Sequence, residues 1–157
     1  MAGLPDVADA HSQRAGRNRL ELLLFRLAAD QCFGIDVFKV REVIQCPQLT
    51  PVPESHPAVL GTVDSRDNTI SVVDLAHAIG GSALEDPRNK LVIVTEYNDE
   101  VQGFLVDSVD HIVSLDWEQT LPPPEDSEQG TYLSAVTQVD QEPVRIIDIE
   151  RLLRVLV

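Results

Sequence analysis

Gly34-Ile35-Asp36-Val37, in the first half of the chain, returns as Gly103-Phe104-Leu105-Val106 in the second half. The same alignment of the two halves places the apolar run at 22–25 against the run at 91–94. A chain that repeats its apolar pattern but no chemical motif is typical of two similar β-units placed side by side. Such a protein is expected to hold partners rather than to transform a substrate.

A second echo, with a slightly larger spacing, sets Val72-Val73-Asp74-Leu75 against Ile146-Ile147-Asp148-Ile149. Gly80-Gly81 and the polar run that follows it separate the two halves. Around these segments, apolar runs and turn signals predict nine or ten short strands, at 22–27, 32–37, 61–64, 69–75, 91–97, 101–107, 111–115, 132–139 and 144–149. The predicted class is therefore mainly β, and the repeat favours two small barrels over one large sandwich.

Three other segments are predicted from their local patterns. Phe38–Ile44 has a helix-like apolar spacing but is short. Prolines punctuate the stretch that follows, and His56–Leu60 is expected to form a single helical turn with Pro57 near its start. The leucines of Glu150–Leu156 predict a short terminal helix.

Composition narrows the classes of function. The formal net charge is −14, with 26 acidic against 12 basic residues, so a basic face for nucleic acid or for an anionic membrane is not expected. No apolar run approaches the roughly 20 residues of a membrane span. Residues 1–19 are predicted to be a polar, mobile tail, and residues 20–157 a single folded unit. Two cysteines make no disulfide framework, which favours a reduced, cytosolic protein.

Catalytic and metal-binding patterns are not evident in the sequence. The histidines lack the spacing of a helical metal site, so neither a metal nor a cofactor is predicted. Cys32 lies in a predicted strand and is expected to be a buried, inert thiol. A catalytic pair of Cys46 with His56 has only coincidence in its favour. The chain is therefore predicted not to be an enzyme.

Four aspartates, Asp36, Asp74, Asp107 and Asp148, lie at predicted strand ends. They either cluster or, as their positions favour, cap turns by accepting hydrogen bonds from local amides.

Arg66 lies in a short turn between Asp64 and Asp67. From composition alone it is interpreted as a solvated surface arginine with a weak ion pair, although arginine is also favoured at interface hot spots.

Several ordered stretches carry a family resemblance. They are Phe33-Gly34-Ile35-Asp36-Val37-Phe38-Lys39-Val40-Arg41-Glu42-Val43, Pro51-Val52-Pro53 and Pro57-Ala58-Val59-Leu60-Gly61, followed by Arg66 and Val72-Val73-Asp74-Leu75. Together they resemble the chemotaxis coupling proteins of the CheW family over residues 20 to 157. The stretches at 21–25, 95–98 and 101–106 are most similar to the CheW-like domain of CheV proteins, which normally carry a receiver domain after it. The chain ends without a receiver, as a single-domain relative or a fragment would.

The resemblance implies a fold of two five-stranded SH3-like barrels and a non-catalytic adaptor. It also implies the partners, which are the cytoplasmic tips of chemoreceptors and the regulatory domain of the histidine kinase CheA. A cytoplasmic location at receptor arrays on the inner membrane face follows from those partners.

The resemblance further implies a partner surface. Val40 and Val43 match positions at an apolar groove near the junction of the barrels, and Leu49 follows them. Core packing is the equally balanced alternative for the two valines. Arg66 matches an arginine in a turn that contacts partners, and Glu42 is a candidate salt-bridge partner that would stiffen this turn.

The turn departs from the family pattern. Asp64-Ser65-Arg66-Asp67 stands where the family usually has Asn-Leu-Arg-Gly or Asn-Ile-Arg-Gly. Asp67 tolerates a positive φ at a cost of about 1 kcal/mol, so the fold is expected to survive. The carboxylates around Arg66 are expected to weaken its attraction for an acidic partner. An altered partner preference, as in an adaptor of a divergent chemosensory system that controls motility or a second messenger, is therefore the alternative reading.

Overall fold

The computed structural model describes residues 19–28, 31–53, 56–65, 68–123 and 132–156. In these ranges ten strands follow one another, namely β1 (Arg19–Ala28), β2 (Gln31–Asp36), β3 (Val40–Gln45), β4 (Val59–Ser65), β5 (Asn68–Asp74), β6 (Leu91–Tyr97), β7 (Glu100–Val106), β8 (Ser108–Asp116), β9 (Leu133–Val139) and β10 (Glu142–Ile147). Two α-helices, Leu75–Ala78 and Ile149–Leu156, follow β5 and β10. Short 3-10 turns occur at Val37–Lys39, Pro87–Asn89 and Trp117–Gln119.

The strands form two five-stranded sheets, which confirms the predicted class. The first sheet has the order β8-β1-β2-β10-β9, and the second has the order β3-β6-β7-β5-β4. Replacing each strand by its counterpart in the repeat converts one order into the other. Each sheet nevertheless takes strands from both halves of the chain. The polar run after Gly80-Gly81 therefore separates the two repeats in sequence but does not separate the two sheets.

The repeat is exact in register for the strands around its glycines. Gly34 in β2 lies beside Ile146, and Gly103 in β7 lies beside Val72, which confirms the predicted alignment of β5 with β10. In the first strand of each half, Leu24 lies opposite Gly34 whereas Val94 lies opposite Gly103. Leu24 therefore corresponds to Val94 and not to its neighbour Ile93, so the predicted alignment of these two strands was wrong by one position. A slip of one position would exchange the two faces of the strand.

In each sheet, the segment after one edge strand pairs with the opposite edge strand. After β3, Thr50 pairs with Thr62 of the far edge strand β4 through two backbone hydrogen bonds of 2.8 and 2.9 Å. After β8, Leu121 pairs with Val136 of β9 in the same way, with both bonds at 2.8 Å. One bridge in each sheet is less than a continuous ladder. The SH3-like closed barrel accordingly remains a prediction.

Three groups of buried side chains stabilise this arrangement. The largest lies between the sheets and includes Phe25, Phe33 and Phe104. Each sheet also curls around a smaller core of its own, one containing Leu22 and the other Val92. We refer to the first as the shared core and to the other two as the inner cores. A Cβ on Gly103 would lie 2.9 Å from Val92 Cγ1, and one on Gly34 would lie 3.2 Å from Leu22 Cδ1. The repeated glycine therefore leaves room for an inner core in each sheet.

The helix-like spacing of one segment was misleading, and one local prediction was wrong. Phe38–Ile44 forms the end of a 3-10 turn and most of β3 instead of a helix, because pairing with β6 satisfies its backbone. His56–Leu60 forms a turn that leads into β4, and the His56 ring nitrogen accepts the Ala58 N–H at 3.0 Å. The terminal helix is present, one residue longer at its start than predicted.

Candidate functional site

Strand β3 holds two of the four predicted partner-binding residues, Val40 and Val43. Asp36 begins the 3-10 turn by accepting the Phe38 N–H at 3.0 Å, and the Val40 N–H donates to the Val37 carbonyl at its end. The chain then enters β3, which pairs only with β6 in the part of the chain that the structure describes. β3 is therefore an edge strand, with one side available to a partner.

The predicted apolar residues differ in how far their side chains are buried. Val40 is only 2% exposed and belongs to the shared core, which favours the core-packing alternative for this residue. Val43 is half-buried against the shared core, whereas Leu49 is half-buried against the inner core of the second sheet. Glu42 lies next to Val43 in sequence and is also half-buried. Val43 and Leu49 thus remain candidates for direct contact, and Glu42 remains the candidate salt-bridge partner of Arg66. All three roles remain predictions.

Arg66 and Asp67 lie outside the described residues, so their roles and the Glu42–Arg66 pairing stay predictions. The residues on either side of them are described. Ser65 pairs with Asn68 across the hairpin of β4 and β5, and Asp64 accepts the Thr69 hydroxyl at 2.9 Å. Asp64 is therefore held by its neighbouring strand.

Phe38 is an exposed residue that was not predicted to lie at the surface. Its side chain is 40% exposed and borders a concavity of about 400 Å³ lined by Phe38, Lys39, Val40, Arg41 and Glu96. The signal was present in the sequence. Phe33, Ile35 and Val37 alternate on one face of their strand, and continuing that alternation places Phe38 on the other.

The first sheet carries a half-buried ion cluster on its surface. The guanidinium of Arg26 donates to both carboxylate oxygens of Glu142, at 2.7 and 2.9 Å, and to Asp110 at 3.2 Å. This arrangement joins β1, β8 and β10. The hydrogen bond from Arg26 holds the pKa of Glu142 below its ordinary value, while the same bond raises the pKa of Arg26.

The second sheet has the reverse charges at the corresponding positions. Through the repeat, Arg26 corresponds to Glu96 and Asp110 corresponds to Arg41. Both side chains are exposed, and within the described ranges neither has an ion-pair partner. The first sheet satisfies its charges internally, whereas the second presents an arginine and a glutamate beside Phe38. This difference makes the side of β3 the more available surface for a partner.

A further ion pair lies at the entrance to β3. Lys39 Nζ lies 3.3 Å from Glu150 Oε1 of the terminal helix and 5.5 Å from the centre of the Tyr97 ring. Lys90, the other lysine of the chain, pairs with Asp107.

The groups considered for catalysis have structural roles. Asp36, Asp74 and Asp148 each accept a backbone N–H at the start of a helix or 3-10 turn, as predicted, whereas Asp107 pairs with Lys90. Cys32 and Cys46 are buried, and burial raises the pKa of both thiols, so the reactive thiolate is disfavoured. Among the described residues, no three acids, histidines or cysteines group closely enough to hold a metal ion.

These features define a class of protein, a two-sheet β module with an exposed edge strand. None of its described helices is long and apolar enough to cross a membrane. The chain belongs to the CheW-like domain family, whose model matches residues 21–157. Membership confirms the resemblance found in the sequence and the prediction of a non-catalytic module.

Individual relatives agree with this assignment. The chain is 29% identical over 155 residues to the chemotaxis protein CheW of Klebsiella aerogenes, covering 98% of this chain and 91% of the relative. It is 30% identical over 148 residues to the chemotaxis protein CheV3 of Helicobacter pylori, covering 87% of this chain and 48% of that protein. The crystal structure of the scaffolding protein TtCheW from Thermoanaerobacter tengcongensis superposes with a TM-score of 0.78 at 23% identity, over 89% of this chain and 90% of that one. This last likeness concerns the fold.

Proposed function

We propose that the chain is a chemotaxis adaptor that couples the cytoplasmic tips of chemoreceptors to the regulatory domain of the histidine kinase CheA. The observation that carries the proposal is the match of the CheW-like domain to residues 21–157. The names of the relatives support chemotaxis as the process. The adaptor acts in the cytoplasm, beneath the receptor arrays.

The partner surface of this adaptor lies along β3 and the segment after it. Val43, Leu49 and Glu42 provide its half-buried part, and Arg66 contacts a partner from the turn between β4 and β5. The exposed Phe38, Arg41 and Glu96 border the same strand. An apolar edge flanked by opposite charges suits docking of a helix or of a second β-domain, because apolar area supplies affinity and the charges set orientation.

Isothermal titration calorimetry tests the proposal directly. The purified chain is titrated with the CheA regulatory domain and, separately, with a helical-hairpin peptide of a receptor tip, both from the same genome. Micromolar binding of at least one probe is expected, in the range of transient signalling complexes. If neither probe binds, the coupling function is wrong.

Arg66→Ala tests the role of the turn. Loss of a hot-spot arginine is expected to weaken binding by about 10-fold or more. Arg88→Ala is the matched control, since Arg88 is 86% exposed and pairs only weakly with Asp86, at 3.8 Å. Equal affinities of the two variants for both probes would remove Arg66 from the partner surface.

Asp67→Gly is expected to strengthen binding of the kinase domain, and an unchanged affinity would contradict the predicted shift in partner preference.

A further inference from the structure

Two concave faces at the junction of the sheets are related by the internal repeat. One has a cavity of about 240 Å³ and the other a cavity of about 470 Å³. Their lining residues correspond pairwise, Tyr97 with Leu27, Glu100 with Gln31, Glu150 with Ala76, and Leu153 with Ile79. We call the first the latched face and the second the open face. The backbone of the two faces is duplicated, but the side chains have diverged.

Lys39 joins the two sheets at the latched face. It is the last residue of the 3-10 turn that leads into β3 of the second sheet. Its ammonium lies 3.3 Å from Glu150, in the helix that follows β10 of the first sheet, and faces the Tyr97 ring. The buried Ile149 and Leu152 anchor that helix in the shared core, so Glu150 is held in place. At the open face the repeat places Ser108 and Ala76, which cannot form an ion pair.

We propose that Lys39 is a positioning residue for partner binding. Its contacts with Glu150 and Tyr97 fix the 3-10 turn and the first residue of β3, and through them the orientation of Glu42 and Val43 toward the partner. The proposal rests on the proposed function and adds to it a determinant that acts through the orientation of the binding strand. Ordering the binding strand in advance lowers the entropic cost of association.

Charge exchange tests this role. Lys39→Glu and Glu150→Lys are each expected to weaken binding of the CheA regulatory domain by about 3- to 10-fold. The double exchange restores affinity to within about 2-fold, and Lys39→Arg keeps it. The matched control is Lys90→Glu at the open face, because the side-chain exposures of Lys90 and Asp107, 22% and 34%, nearly equal those of Lys39 and Glu150, 26% and 35%. An equal loss with Lys90→Glu, or no recovery in the double exchange, overturns the proposal.

Amide hydrogen exchange of the free chain separates this proposal from the proposed function. The Val40 N–H, bonded to the Val37 carbonyl, is expected to exchange about 10-fold faster in Lys39→Glu and at the parent rate in the double exchange. If the parent chain binds neither the kinase domain nor the receptor peptide, the coupling function is wrong even where the exchange rates follow this pattern. If the parent binds but the Val40 exchange rate is unchanged in Lys39→Glu, the positioning role alone is overturned.

Discussion

The two sheets have equivalent strand orders. They differ at the place where the segment after one edge strand pairs with the opposite edge strand. In the second sheet, Gly61 of β4 lies against the segment after β3, and a Cβ there would lie 2.6 Å from the Thr50 carbonyl oxygen. In the first sheet the corresponding residue is Ala135, which is buried and has its methyl group accommodated. The repeat thus preserves pairing while the spacing of the backbones changes. The tighter sheet is the one that contains β3, the candidate partner strand.

Two single variants, Gly61→Ala and Ala135→Gly, give the strongest test of this difference. Gly61→Ala is expected to destabilise the fold by about 3 kcal/mol, because the methyl group would collide with the backbone at Thr50. Ala135→Gly is expected to cost only about 1 kcal/mol, through a lost methyl contact and added chain entropy. Urea denaturation gives both free energies of unfolding. Equal losses would mean that the two edges are joined with the same spacing.

Two of the capping aspartates, Asp74 and Asp148, correspond through the repeat and sharpen the comparison. Asp74 is fully buried and accepts the N–H groups of His77 at 3.2 Å and Leu84 at 2.8 Å. Its counterpart Asp148 is partly exposed and accepts one backbone N–H, from Arg151, at 3.2 Å. Asp74→Ala is expected to cost about 2–3 kcal/mol, since it removes a cap and leaves the Leu84 N–H unpaired. Asp148→Ala is expected to cost about 1 kcal/mol. Thermal unfolding that ranked them in the opposite order would contradict this assignment.

The ion cluster of the first sheet gives the smallest effect, and it depends on pH. In the folded chain, Arg26 lowers the pKa of Glu142 below its ordinary value of 4.5. The ion pair therefore contributes stability above about pH 4.5, and this contribution is lost as the pH falls through the lowered value. Relative to the parent, Glu142→Gln should be less stable at pH 7, and this difference should shrink in acid. Glu118→Gln, on the exposed 3-10 turn, is the control, and a difference that persisted unchanged below the lowered value would contradict the assignment.

Much of this fold could be predicted because periodicity of two and repeated glycines are local signals. β6 was predicted with its observed ends, and the capping role of Asp36, Asp74 and Asp148 followed from their places at strand ends. The exchange of strands between the halves was not predictable, because it depends on which edges pair across long separations. The helical spacing of Phe38–Ile44 was misleading for the same reason, since pairing with β6 decided its structure.

The candidate site was harder to predict than the fold. A pattern of valines does not distinguish a core residue from a groove residue, and Val40 is buried while Val43 is half-buried. The Lys39–Glu150 pair joins residues that are distant in sequence and carries no local motif. Family resemblance indicated which strand to consider, and burial then separated the side chains along it.

The interleaved strand order also governs when the chain can fold during synthesis. β1 pairs with β8, and β2 pairs with β10, so the first sheet lacks three of its strands until most of the chain has left the ribosome. The second sheet lacks β6 and β7 for much of that time. Until β8 and β10 are synthesised, β1 and β2 can pair only with each other. This hairpin exposes apolar surface to other chains. Protein yield is therefore expected to depend on translation rate and on chaperone supply, and folding is expected to be slow for a domain of this size because its contacts are so distant in sequence.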